Sequence, residues 1–332
     1  MSIEDTITIV IISLLSCGLT RALIPVLTKK SLIDHPNERS SHIAPTPRGG
    51  GWAIAVPVLA VLIFKSATGA WPDISWAVVG SAIALAGISW LDDVRSLGVK
   101  TRLSVQLAAV VITVMVTASV LVGGMPMLPT IAVSIAIVLG WVWFINLYNF
   151  MDGIDGITSV QTIFICIGAA VVHWISGTEA IGSVALPLLI AGATAGFLVW
   201  NWSPAKIFMG DIGSVFLGFI VGWLLIELAF AGHWAAAIIL PLYYLADATI
   251  TLGRRVLRGD KFWEAHREHY YQRAHQAGLG HNDIVRRIAL GNIILLCLAI
   301  WSVNGPSLFA LAGAICVTGI LLFELSKRPP AS

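Results

Sequence analysis

Charge is what this sequence has least of. Asp, Glu, Lys and Arg make up 11% of its 332 residues, against 57% hydrophobic residues. A water-soluble fold with that balance could not cover its surface with polar groups. Cysteine is scarce as well. Cys17, Cys166, Cys297 and Cys316 all lie inside apolar runs and none forms a C-x-x-C pair, so they read as small packing residues rather than metal or redox ligands. The first residues, MSIEDTIT, carry Glu4 and Asp5 but no lysine or arginine ahead of the first apolar run. A cleaved secretory signal would have a basic leader there, so this segment is expected to stay as a permanent span. Alternating strands of about ten residues are missing, which excludes a β-barrel. No internal repeat is visible, which removes support for the inverted-repeat plan of many transporters.

What the sequence does have is apolar runs. Eleven are read, near 7–28, 50–66, 74–91, 105–122, 129–148, 156–175, 180–200, 212–231, 234–253, 287–303 and 305–324. Such runs suit helices crossing roughly 30 Å of hydrocarbon. The expectation is an all-α polytopic integral membrane protein of about 11 transmembrane helices, forming a single transmembrane domain over 1–332. Alternate connections then fall on opposite faces. One face holds 29–49, 92–104, 149–155, 201–211, 254–286 and the tail, and it takes every lysine and arginine of the 20 except Arg21 and Lys65. The bias of basic residues toward the cytoplasm puts these loops inside, with the N-terminus outside (periplasmic) and the C-terminus cytoplasmic. The opposite loops are a few residues each. Chemistry is therefore expected on the cytoplasmic face.

Those inner loops also concentrate acids and amides: LDDVRSLGVKTR (91–102), NLYNFMDGIDG (146–156) and NWSPAKIFMGDIGS (201–214). Asp92, Asp93, Asp152, Asp155 and Asp211 all sit at span ends, where they would repel one another unless positive charge lay among them. A hard divalent cation prefers such a setting of one or two carboxylates, waters and substrate phosphates. Gly153, Gly156, Gly210 and Gly213 precede new helices. Free N–H groups at a helix start bind phosphate, although taken alone these glycines are better read as loop flexibility or helix capping. Arg48 in PRGGG, with Lys100, Arg102, Lys206, Arg254 and Arg255, supplies a basic ring. In the last large loop His266, His269 and Arg273 are spaced to share a helical face, and Phe262, Trp263, Tyr270 and Tyr271 suit either the membrane interface or a nucleobase. Asp247 lies about two turns before Arg254 and is placed to support the site. Glu227 has no evident role. An acid within a span is expensive, so Asp247 and Glu227 are also the best argument for an alternative, an ion-coupled transporter. That reading expects polar residues on both faces, whereas here they gather on one. A CDP-alcohol phosphotransferase is a weaker alternative, because DGIDGIT lacks the Ala-Arg of that pattern.

In this order PTPRGGG, LDD, NLYNFMDGIDG, FMGDIGS and a histidine-bearing final loop resemble the polyprenyl-phosphate N-acetylhexosamine-1-phosphate transferases, the MraY/WecA family, along nearly the whole chain. The resemblance implies transfer of a sugar 1-phosphate from a UDP-sugar to undecaprenyl phosphate at the cytoplasmic side of a bacterial inner membrane, with release of UMP. It implies a Mg²⁺ cofactor (or Mn²⁺), no nucleic-acid partner, and admits a homodimer. By motif it assigns Asp92 and Asp93 to catalysis, Asp211 and Asp152 to the metal, and Arg48, Lys100, Asn146, Asn149, Asp155, Lys206, His266, His269 and Arg273 to substrate binding. Many members read His-x-His-His-Arg in the final loop, where this chain reads His269-Tyr270-Tyr271-Gln272-Arg273. The departure argues against the muramoyl-pentapeptide branch and looks more like the WbpL-type branch that initiates O-antigen synthesis, whose donors include N-acetylated deoxyhexosamines. Direct attack by the lipid phosphate is favoured over an aspartyl-phosphate intermediate.

Overall fold

The computed structural model describes residues 3–36, 44–71, 74–121, 127–177, 184–261 and 266–327. Along these the chain forms α1 (Ile3–Lys29), the two-residue strands β1 (Ile33–Asp34) and β2 (Thr46–Pro47), α2 (Trp52–Ala67), α3 (Trp76–Arg95), α4 (Val99–Leu121) and α5 (Met127–Phe150). It continues through α6 (Ile157–Ser176), α7 (Ala185–Asn201), α8 (Gly210–Leu228), α9 (Trp234–Ile239), α10 (Leu242–Leu257), α11 (Tyr270–Gln276), α12 (His281–Asn304) and α13 (Ser307–Ser326). Among the described residues eight helical stretches are long and apolar enough to cross a membrane: 3–29, 76–95, 99–117, 128–150, 157–176, 210–239, 281–304 and 307–326. Trp52–Ala67 and Ala185–Asn201 are apolar but shorter. An all-α polytopic membrane protein is thus what the chain builds.

The difference from eleven uniform runs has a local cause. The run read at 234–253 is broken between α9 and α10 at Leu240–Pro241, where proline supplies no N–H to continue the ladder. Gln161 of α6 donates to the Leu240 carbonyl at 3.3 Å and is itself held by the Asn292 amide of α12 at 2.9 Å. Polar side chains from two other helices therefore serve the interrupted backbone. Between α8 and α9 the chain kinks within Ala229–His233 at Gly232, whose φ of 97° lies in the left-handed region that glycine enters freely. This is where the sequence suggested a connection at 232–233.

α8 forms the centre. Almost all its residues are buried, with α3 and α5 against it and α6 and α2 beside them. α1 lies outside, packed on α7, with Ile3, Ile7, Val10, Ile11 and Leu14 turned outward as lipid-facing side chains would be. At the start of α1 Glu4 and Asp5 meet Lys65 at the end of α2, at 2.8 and 3.8 Å. Lys65, the exception to the basic bias, is thereby neutralised at the opposite end of the bundle from the acid-rich loops.

Candidate active site

The site is assembled by backbone before side chains. β2 runs into PRGGG, and this segment lies along the strand-like residues that lead into α8. The Phe208 N–H donates to the Pro47 carbonyl at 2.8 Å, Gly50 donates to the Phe208 carbonyl at 2.9 Å, and Gly51 donates to the Met209 carbonyl at 2.8 Å. A Cβ on Gly51 would stand 2.3 Å from the Gly213 Cα. These glycines let two chain segments touch, which carries Arg48 to the first turn of α8.

There Arg48, Asp92, Asp93, Arg102 and Asp211 form one cluster drawn from the ends of four elements. The two oxygens of Asp93, whose side chain is 2% exposed, are filled by four donors. Arg48 supplies Nε at 2.6 Å and Nη2 at 2.5 Å, and the backbone N–H groups of Asp211 and Ile212 donate at 3.0 and 3.1 Å. Asp93 is thus a cap for α8 supplied from another helix. Asp92 accepts from the Leu97 N–H at 2.6 Å and from Arg102 Nη1 at 2.7 Å. Arg102 Nη1 also reaches Asp211 at 3.2 Å, and Arg48 lies 3.9 Å from the other Asp211 oxygen. The Asp92 and Asp211 carboxyls are within hydrogen-bonding reach of each other. Asp211 is the most open acid of the three, at 20% side-chain exposure.

The NLYNFMDGIDG segment forms the adjoining wall. Asn146 donates to Gln106 of α4 at 2.8 Å, and the Asn149 carbonyl oxygen accepts from Ser214 of α8 at 2.7 Å. Asp152 keeps part of its surface open, yet burial pushes its carboxyl up to about 6, with a hydrogen bond from Thr158 opposing the shift and the charge of Asp93 adding to it. Asp155 behaves oppositely. Burial favours its neutral form, but His281 beside it, at 3.2 Å, and the Ala205 N–H at 3.1 Å hold its carboxyl below the usual carboxylate range. Asn201 accepts from the Gly156 N–H at 3.1 Å at the start of α6.

The final loop is pinned by Asp247, which is fully buried. It accepts from the N–H groups of Tyr270 and Tyr271 at 3.0 and 3.4 Å and from the Tyr243 hydroxyl at 3.2 Å, and pairs with His269 Nδ1 at 3.2 Å. Tyr271 then donates to the Phe150 carbonyl at 3.0 Å, tying α11 to the NLYNFMDGIDG wall. Glu268 bridges Arg255 and Arg258.

Several expectations change here. His266, His269 and Arg273 do not share a helical face. α11 starts at Tyr270 with His269 as its cap, and His266 lies in the loop before it, its ring 4.9 Å from that of His269. Burial holds the His266 imidazole down at about 4, with His269 and Arg255 adding to the effect, so it is neutral near pH 7. Tyr270 and Tyr271 are buried rather than presented to a base, while Phe262 and Trp263 lie outside the described residues. The glycine-bearing helix starts read as phosphate sites are already occupied by Asp93, Asn201 and the carbonyls of Phe208 and Met209. Lys100, Lys206 and Arg273 are exposed and do not touch the acid cluster. Lys206 instead sits 5.2 Å from the Trp200 ring centre. Sequence reasoning missed His281, whose one signal is a histidine in an inner loop beside Asn282 and Asp283. It also placed Arg102 only within a general basic ring.

The residues fit a hard cation incompletely caged by protein. Asp92 and Asp211 offer adjacent carboxylates, and among the described residues no three His, Cys, Asp or Glu side chains are grouped to hold an ion alone. That is the donor set expected of Mg²⁺, which keeps waters and takes phosphate oxygens for the rest. Asp152 is not part of that pair.

Residues 75–229 match the family described as Glycosyl transferase family 4. That stretch, just under half of the chain, is similar to family 4 glycosyl transferases. The match covers α3 to α8 and so includes Asp92, Asp93, Arg102, the NLYNFMDGIDG wall and Asp211, leaving Arg48 and the α10–α11 region outside it. A Bacillus subtilis protein named "Probable undecaprenyl-phosphate N-acetylglucosaminyl 1-phosphate transferase" is 28% identical over 87% of this chain and 83% of its own length. A decaprenyl-phosphate N-acetylglucosaminephosphotransferase of Mycobacterium tuberculosis is 26% identical over 97% of this chain and 88% of its own. A phospho-N-acetylmuramoyl-pentapeptide-transferase of Streptococcus thermophilus is 37% identical over 35% of this chain and 33% of its own. The transporter reading finds no support beside this domain. Asp247, its main evidence, has its oxygens committed to a loop and a helix cap.

Proposed function

We propose that this protein transfers a sugar 1-phosphate from a UDP-sugar to undecaprenyl phosphate, releasing UMP, with Mg²⁺ bound at Asp92 and Asp211. The observation that carries the reading is the meeting of three aspartates and two arginines at the start of α8, inside the matched domain. The relatives matched along 86–97% of the chain are named for N-acetylglucosamine, whereas the pentapeptide transferases match 35–54% of it. This favours an N-acetylhexosamine donor, and the O-antigen branch remains part of the proposal. So do the span count of eleven, the inner-membrane location, and the cytoplasmic placement of the site, which the basic bias supports.

A phosphomonoester has its second pKa near 6, so the lipid phosphate is mostly dianionic at neutral pH and needs placing more than deprotonating. Bound at Asp211 and Asp92, Mg²⁺ would neutralise charge developing on the departing UMP. Arg48 offers fixed positive charge for phosphate oxygens, because Asp93 and the Phe208 pairing hold its side chain and backbone. In this reading Asp93 positions Arg48 and α8 and does not act as a base, since donors fill both its oxygens. Asp152 and Asn149 line the adjoining wall and are assigned to the donor, and the loop that carries His269 is tied to that wall by Tyr271. Direct attack is the reading favoured here, because donors fill both oxygens of Asp93 and leave it no free lone pair aimed at a phosphate.

Asp211→Asn is expected to abolish turnover while the protein still inserts and purifies as a folded species. Near-normal activity of that variant would refute the metal assignment.

A further inference from the structure

The two arginines of the cluster are not held alike. Arg48 grips Asp93 through two nitrogens, its backbone is paired with Phe208, and it is 3.9 Å from Asp211. Arg102, on α4 and exposed to about the same extent as Arg48 (33% against 36%), uses one nitrogen, Nη1, to bridge Asp92 at 2.7 Å and Asp211 at 3.2 Å. A single cationic nitrogen between two adjacent carboxylates stands where an ion ligated by both would have to sit. Counted formally with all three acids ionised, Asp92, Asp93 and Asp211 against Arg48 and Arg102 leave the cluster with one net negative charge. Without Arg102 it would carry two, and the Asp92–Asp211 contact would be repulsive.

We propose that Arg102 is a displaceable stand-in for the metal. It holds Asp92 and Asp211 together in the substrate-free protein, leaves them when the cation arrives, and carries its charge to the phosphates of the incoming nucleotide. The inference rests on the function proposed above and extends it to the order of events. The cation competes with Arg102 when alone, and binds with its help once a diphosphate is present. Arg48 is held elsewhere: two of its nitrogens grip Asp93, and it stands 3.9 Å from Asp211 with no contact to Asp92 among those of the described residues.

Metal binding measured directly tests this apart from activity. Mn²⁺ is titrated into purified protein in detergent, with free ion read by electron paramagnetic resonance, first alone and then with saturating UDP. For Arg102→Met, affinity for Mn²⁺ alone is expected to rise about tenfold, reflecting loss of a competing ion pair in each contact, while the gain in affinity on adding UDP, seen in the wild type, is lost. Arg102→Lys, which keeps the charge and is read only from its folded fraction, is expected to stay near wild type for Mn²⁺ alone. Unchanged or weaker Mn²⁺ binding by Arg102→Met would overturn the stand-in role. Absence of Mn²⁺ binding by the wild type, with and without UDP, would overturn the metal reading itself, and the two failures are distinct.

Discussion

At the scale of single residues, the carboxylates divide by what already satisfies them. Asp93, Asp155 and Asp247 are committed to backbone N–H groups and to cations or imidazoles. Asp211 and Asp152 keep surface open toward the site. Asp152 gives a test by pH. Its carboxyl is raised to about 6 in the folded protein by burial, above its value of about 3.9 in the unfolded chain. Ionisation therefore disfavours the fold. Its contribution to stability is complete below about pH 4 and is lost as pH rises through 6. Asp152→Asn is expected to stabilise the metal-free protein at pH 8 by about 1–2 kcal/mol, less than the full shift implies because the side chain stays partly open. The gain should vanish near pH 4. Thermal melts in detergent across that range would show it, and an equal gain at both pH values would mean another cause. The sequence made the acids legible as a class, because five of them sit at span ends in a chain with little charge. Their division was not legible: whether Asp155 meets His281 or a ligand depends on residues 126 positions apart in sequence (155 and 281) coming together.

At the scale of elements, helix starts and close-packed glycines carry the design. Most apolar runs were readable as spans from hydropathy alone, and the acid-rich loops from their composition. The short β1–β2 pair and the PRGGG–Phe208 pairing were not, because two-residue strands leave no periodic signal and their bonds join segments far apart in sequence. The same limit hid the break at Pro241, before which the Leu240 carbonyl is served by Gln161 from α6. Gly51 illustrates the physical role of these glycines, since its Cβ would overlap Gly213. Gly51→Ala is expected to lower stability by about 1–3 kcal/mol and to reduce activity, as it would push Arg48 from α8. Gly80→Ala, where a Cβ meets nothing within 4 Å on α3, should leave stability within about 1 kcal/mol of wild type or raise it. Equal melts for the two variants would argue against a tight approach of α2 and α8.

At the scale of the whole molecule, a bundle of apolar helices brings the ends of α3, α5, α7 and α10 and the starts of α2, α4, α6, α8, α11 and α12 to one end, where the site aspartates and most of the described basic residues collect. The other end holds short connections and the Lys65–Glu4 pair. A lipid acceptor arriving within the membrane and a water-soluble nucleotide arriving from outside it can meet only at such a boundary, which is why the polar residues of so apolar a chain gather there. The central claim is that the bond broken lies within the donor's diphosphate and not between sugar and phosphate. The nucleotide released by purified protein from undecaprenyl phosphate, Mg²⁺ and a panel of UDP-N-acetylhexosamines reads this directly. UMP, lost on adding EDTA, is the predicted product. Release of UDP would mean ordinary glycosyl transfer and would contradict the account.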